Sequence, residues 1–361
     1  MEKIKIDDKK SLAFPRFSHY NLAIRYLVEQ GLEARYIMLP EATKETVELG
    51  SRYSPDYACA PFKHTLGSLI EAVHAGADVL IETGGLCRLD YYGELQEEIL
   101  HELGYSCEFV NLAHYMGGSK KEWLKLARSL SPKLHPAKVL AAFYDAVKMV
   151  EYMDEIEALY YKNAGFEARE GSFYKVRRQF FLAMQTAENH SEIKSGYLKA
   201  KQAMESLALK IPKYPVRIGI VGEYFTVMDA HSNQYLQEKL AHLGCSTERF
   251  MNVTNCHFRA KESALRPRIK EYVQYNMGPT TTWTVNSALG YARQGFDGII
   301  HVKSFGCTPE MDAVPILQNI SRDYHIPVLY LSYDTQNSDT GLDTRLEAFC
   351  DMLERKKRVL R

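Results

Sequence analysis

Apolar positions divide the 361-residue chain into three stretches. From 11 to 112, short apolar runs alternate with segments of helical period. The runs lie at 11–17 (SLAFPRF), 33–39, 78–82 and 106–112. The helical patterns lie at 19–30, after Pro61, and at 91–103. Leu66, Leu69, Ile70 and Val73 form the apolar face of the middle one. Strands alternating with helices of this length predict parallel βαβ units. Between 116 and 212 the strand signal is lost. Val139, Phe143, Val147 and Val150 recur at helical spacing, as do Val176, Phe180 and Met184, and then Tyr197, Ala200, Met204 and Leu207. Pro212 and Pro215 close that segment. A second alternation opens at 216–225 (VRIGIVGEYF). It continues with a helix at 232–243 stopped by Gly244, helices at 259–276 and 281–294, and a buried strand at 298–302. A helix from Pro309, a strand at 327–333 and a last helix at 343–358 complete it. The expected fold is α/β, with an α/β domain over 1–115, a helical segment over 116–212 and a second α/β domain over 213–361.

Composition removes several classes of function. Lys+Arg and Asp+Glu both number 45, so the formal charge is zero, and no basic tract points to nucleic acid or an anionic membrane. The 355–358 run (RKKR) reads as the dipole-matched end of the last helix. No apolar run of about 18 residues is present, so no membrane span is expected. The first ten residues lack the apolar centre of a signal peptide, so a cytoplasmic location with reduced thiols is expected. The sequence has no GxxxxGK[ST] phosphate loop, no GxGxxG, no GxSxG and no HExxH.

The seven cysteines are scattered, with no CxxC pair. Cys107, Cys245, Cys256 and Cys350 read as small buried hydrophobes. Three others have special contexts. Cys59 and Cys307 are each followed, two residues on, by a proline that opens a helix (Pro61, Pro309). Free N–H groups and the positive dipole end favour a thiolate or an anionic cluster at such a place. Cys87 follows a buried strand and two glycines, at the strand end where α/β sheets place their ligands. His64 reads as part of a solvated helix face, and His301 as a core histidine or a donor behind the site. Lys63 and Arg88 are candidate counter-cations, and Glu310 is an acid suited to a first helical turn.

The stretches SPDYACAPFK (54–63), GLCR (85–88), YYGELQ (91–96), VGE (221–223), FDGIIH (296–301), FGCTPE (305–310) and TRLEAF (344–349) resemble the 2-hydroxyacyl-CoA dehydratase component family. Within it, the chain looks most like the acyl-CoA dehydratase activase-related, double-cubane-cluster-like branch. One departure is 277–279, Met-Gly-Pro, where some relatives carry Gly-Gly-His. The resemblance implies two α/β domains facing each other across a cleft that holds an iron–sulfur cluster. That cluster would be 4Fe-4S, or double-cubane 8Fe-9S, and the implied ligands are Cys59, Cys87 and Cys307. Three cysteines leave one iron position open. The implied partner is an ATP-dependent activase of actin-like fold that donates a low-potential electron, and a homodimer or a related second subunit is expected. The implied activity is reductive or radical chemistry, as in 2-hydroxyacyl-CoA dehydratases. A double-cubane reductase of small molecules and a non-catalytic cluster-binding scaffold stay open, as does a zinc-binding or metal-free interaction protein.

Overall fold

A computed structural model describes residues 10–83, 91–115, 118–132, 134–259, 261–335 and 340–359. The first stretch contains β1 (Ser11–Ala13), α1 (Asn21–Tyr26), β2 (Arg35–Tyr36), α2 (Lys44–Tyr53), α3 (Ala60–His74), β3 (Val79–Glu82), α4 (Tyr92–Glu102) and β4 (Glu108–Asn111). Four helices follow: α5 (Lys120–Leu130), α6 (Pro136–Asn163), α7 (Ser172–Thr186) and α8 (His190–Ser206). The last stretch opens with β5 (Val216–Gly222), α9 (Tyr224–Met228), α10 (Leu236–His242), β6 (Cys245–Arg249) and α11 (Glu262–Leu265). It ends with α12 (Pro279–Arg293), β7 (Gly298–Ser304), α13 (Thr308–Tyr324), β8 (Val328–Tyr333) and α14 (Thr340–Val359). Among the described residues no helix is long and apolar enough to cross a membrane.

The strands form two parallel four-stranded sheets, ordered β2-β1-β3-β4 and β6-β5-β7-β8. The fold is α/β with two such sheets. Each sheet is buried on both faces, as parallel sheets require. In β3, Val79 and Ile81 point to one core, which also holds Leu12, Val28 and Val110. Leu80 points to the other, with Phe62, Leu66, Leu69 and Leu100. The strand period of two makes this division. In the second sheet, Ile218, Ile220, Ile300 and Val302 face a core shared with Met149, Met153, Ile156, Phe173, Phe180 and Met184 of the helical block. Tyr20, Leu22 and Tyr26 beside and within α1 enter that same core, so the first stretch of chain and the second sheet are packed together. Ile299 and Val221 face the opposite side, with Val285, Leu289 and Leu317.

Several expected elements changed. The helix expected at 19–30 is α-helical over Asn21–Tyr26 and widens to a π-helical turn over Leu27–Gly31. The helix expected at 259–276 is instead a π-helical turn (Thr254–Arg259), the one-turn α11 and a 3-10 turn (Arg266–Ile269). Pro267 lies in that last turn, and its missing N–H stops an α-helix from continuing. Two elements lacked a clear pattern. The buried face of α2 is only Thr46, Val47 and Gly50. Strand β6 has buried Ser246 and Thr247, satisfied by hydrogen bonds to the Lys162 carbonyl (2.8 Å) and from Gln237 Nε2 (3.0 Å).

Candidate functional site

Two helices begin at the same place between the sheets. Cys59 is the N-cap of α3 and Cys307 the N-cap of α13, and both helices carry proline in their first turn. The Ala60 N–H, the first of α3, donates to Ser304 Oγ at the end of β7 (3.1 Å). That bond joins the start of α3 to the strand end that precedes Cys307. Both thiols are partly exposed. Cys59 Sγ is in close contact with the Tyr92 hydroxyl at the start of α4, and the Tyr92 ring packs edge-on to Phe62, centroids 5.0 Å apart. Cys87 and Arg88 lie outside the described residues.

Close backbone packing draws neighbouring elements together in both halves. In the first half, α2 and α3 touch through Gly50 and Gly67. A Cβ on Gly50 would lie 1.8 Å from the Lys63 carbonyl oxygen, and one on Gly67 would lie 2.0 Å from that of Thr46. In the second half Gly222 ends β5 with φ +141°, and a Cβ there would lie 1.8 Å from the Val302 carbonyl oxygen. Only glycine fits such a φ beside a neighbouring backbone. Glu223 then caps α9, its carboxylate accepting from the N–H groups of Phe225 (2.6 Å) and Thr226 (2.9 Å).

Behind Cys307 lies a fully buried acid–histidine pair. Glu310 Oε2 and His301 Nε2 are 2.7 Å apart, and neither side chain is exposed to solvent. Thr284 Oγ1 of α12 is 3.1 Å from both Glu310 oxygens, and Thr281 Oγ1 donates to the Pro309 carbonyl (2.7 Å). His301 is therefore hydrogen-bonded behind the site through Glu310.

The electrostatics hold the Cys307 proton on. Burial pushes the Cys307 thiol well above its usual range, the carboxylates of Glu223 and Glu310 add to this, and the Glu310 backbone N–H acts in the opposite direction. Cys59 contributes in the same sense as the carboxylates, which reflects the nearness of the two sulfurs. Glu223 is itself raised by burial, against the pull of its Thr226 and Phe225 donors. Lys303 is the nearby cation that sequence patterning missed. It sits inside a buried strand, burial lowers its pKa, and Cys307 and Glu310 act to raise it. Its Nζ donates to the Phe305 carbonyl (3.1 Å). Lys63 Nζ, by contrast, reaches the Asp56 carbonyl (3.4 Å) on an exposed side.

His64 is not on a solvated face. It is 8% exposed, and its ring lies beside His231 (centroids 5.7 Å) and Phe225 (5.9 Å) of the second half. Helical period could not reveal this, because the polar side of α3 is covered by a loop from the second half of the chain. The remaining described cysteines pack in apolar surroundings. Cys245 and Cys350 face each other, sulfurs 3.3 Å apart, and Cys256 lies against Met251.

Two thiols, one from each half, stand at helix N-termini joined by the Ala60–Ser304 hydrogen bond, and thiolates are the donors that iron–sulfur groups use. Binding would require both thiols to lose their protons, with Lys303 and the two helix ends offsetting the negative charge. Residues 290–353 match the family model for 2-hydroxyglutaryl-CoA dehydratase, D-component. The matched segment contains β7, Cys307, α13 and β8 and reaches into α14. No curated protein matches the chain.

Proposed function

Because residues 290–353 match a 2-hydroxyglutaryl-CoA dehydratase component, we propose that the chain is a component of the 2-hydroxyacyl-CoA dehydratase kind, an iron–sulfur protein that accepts low-potential electrons from an ATP-dependent activase. The observation that carries this reading is the meeting of Cys59 and Cys307 at two helix N-termini, linked by the Ala60–Ser304 hydrogen bond. In this proposal Cys59, Cys87 and Cys307 hold the cluster. When bound, it supplies one-electron chemistry and, with three protein ligands, an open iron position for a small substrate.

The chain's own groups prepare the site. The Glu310 N–H in the first turn of α13 acts on the Cys307 sulfur, and the positive ends of both helices favour negative charge there. Lys303 brings a cation into the cleft. The Glu310–His301 pair holds a proton between Oε2 and Nε2 directly behind α13's first turn. Tyr92 sets its hydroxyl against the Cys59 sulfur. The absence of a phosphate loop from the sequence fits a division of labour in which ATP is hydrolysed by the partner. The test is anaerobic mixing of the purified chain with a reduced activase, followed in the visible. Bleaching that needs both activase and ATP supports the reading. ATP hydrolysis by the chain alone, at the rate of its own reduction, would overturn it.

A further inference from the structure

A second cluster of ligand groups lies between the halves, and it contains no sulfur. One nitrogen each from His64 and His231 and a carboxylate oxygen of Asp229 all lie within 4.8 Å of one another. His64 comes from the second turn of α3, on the first half. Asp229 and His231 come from the loop between α9 and α10, on the second. Asp229 and His64 are buried, at 6% and 8% exposure.

The loop is built to hold its two residues side by side. Asp229 Oδ1 accepts from the Ser232 N–H (2.8 Å), and the Asn233 N–H bonds the Asp229 carbonyl (3.2 Å). Asn233, 4% exposed, donates to the Thr226 carbonyl (2.9 Å) and accepts from the Leu236 N–H (3.0 Å). These bonds use Asn233 and the backbone. The Ser18 N–H reaches Asp229 Oδ2 (3.4 Å) and Ser232 Oγ lies 3.4 Å from His64 Nδ1, whereas His231 Nδ1 is buried with no hydrogen-bond partner. A buried polar atom without a partner is costly, and a metal ion would satisfy it.

We propose that His64, Asp229 and His231 form a binding site for a first-row divalent cation that clamps α3 to the α9–α10 loop. Two imidazoles and one carboxylate are a donor set that suits zinc and its neighbours, and they leave a fourth position for water or another ligand. Tetrahedral zinc with bonds of about 2.0–2.1 Å places its ligand atoms about 3.3 Å apart. The three groups reach that spacing by side-chain adjustment. The site rests on nitrogen and oxygen, so it stands or falls independently of the cysteine cluster.

The test uses the full chain with Cys59, Cys87 and Cys307 changed to serine, stripped by chelator and titrated with zinc against a chromophoric competitor. One zinc per chain is expected. Changing His64→Gln or His231→Gln should weaken it by more than the roughly 10–100-fold that loss of an outer partner costs. X-ray absorption should report nitrogen and oxygen near about 2.0 Å with imidazole scattering, and no sulfur near about 2.3 Å. Should His64→Gln fail to fold, His231→Gln decides, because that ring's Nδ1 has no hydrogen bond to lose. Unchanged affinity in His231→Gln, sulfur ligation by the remaining cysteines, or no retained zinc would each overturn the proposal.

Discussion

The two sheets share one strand order but are furnished differently. In the first, the strands run three, two, four and four residues, and in the second seven, five, seven and six, in the order β1 to β4 and β5 to β8. By topology α3 corresponds to α12, and the link from β3 to α4 corresponds to that from β7 to α13. Cys87 and Cys307 thus occupy matching links in the chain. At the other matching pair the halves part: the N-cap of α3 is Cys59 and that of α12 is Gly278, with φ +82°. One half offers a sulfur in both places and the other in one. The lesson is that the second half contributes the framework, through long strands and the Thr284–Glu310–His301 network, while the first half contributes most of the proposed ligands.

The largest expected effect tests the ligand asymmetry. Cys59→Ser and Cys307→Ser should each lose essentially all iron from anaerobically purified protein. Cys107→Ser, Cys245→Ser and Cys350→Ser should retain it. Full iron in either of the first pair removes that cysteine from the ligand set.

The framework claim comes next. Gly222→Ala should cost about 4 kcal/mol or more, because the new Cβ meets the Val302 carbonyl and the φ is unsuited to alanine. Gly76→Ala, at φ +88° in open space after α3, should cost only about 1 kcal/mol. Urea unfolding of both variants checks this, and equal losses would contradict the difference in packing.

A smaller effect concerns the joint between the regions. His19 follows β1, stacks on Phe181 (centroids 3.8 Å) and lies 3.4 Å from Arg177 Nη2. Burial, with help from Arg177, pulls its pKa down to about 4, against the opposing Glu157 carboxylate. The unfolded chain binds that proton near pH 6.5. Stability is therefore fully present above about pH 6.5 and falls as pH drops toward about 4, by about 3 kcal/mol from His19. His19→Gln should flatten part of that slope in urea titrations over the window, and an unchanged slope would contradict the assignment.

The smallest effect isolates the electrostatics of Cys307. Glu310→Gln removes one of the two carboxylates that raise the thiol, so in iron-free protein its pKa should fall. Alkylation of Cys307 at mildly alkaline pH should speed up about 3- to 10-fold, which corresponds to about 1 kcal/mol. Mass spectrometry of labelled peptides reads this directly, and slower labelling would reverse the sign.

Strands β3 and β7 were legible because continuous apolar runs can only be buried on both faces. The starts of α3 and α13 were legible because proline two residues after cysteine fixes a first turn. Strand β6 was hidden because its buried Ser246 and Thr247 are satisfied by hydrogen bonds that no local pattern announces. Helix α2 was hidden because its inward face is small, which is what lets Gly50 and Gly67 touch. The part played by Lys303 was equally obscure, since a lysine inside a strand gives no hint of the acid and thiol that face it. Likewise His64 could not be read from helical period, because its partners, Asp229 and His231, lie some 165 residues away in sequence, in the other half.

The central claim is that cysteines of both halves jointly hold one iron–sulfur cluster. Iron and acid-labile sulfide should be quantified in anaerobically purified full-length protein, with electron paramagnetic resonance after reduction. The account predicts about four iron and four sulfide per chain, or about twice that iron if the cluster is a double cubane, with a reduced-cluster signal that Cys307→Ser abolishes. Protein that carries stoichiometric zinc on its thiols, or no metal there at all, with no such signal, would contradict it.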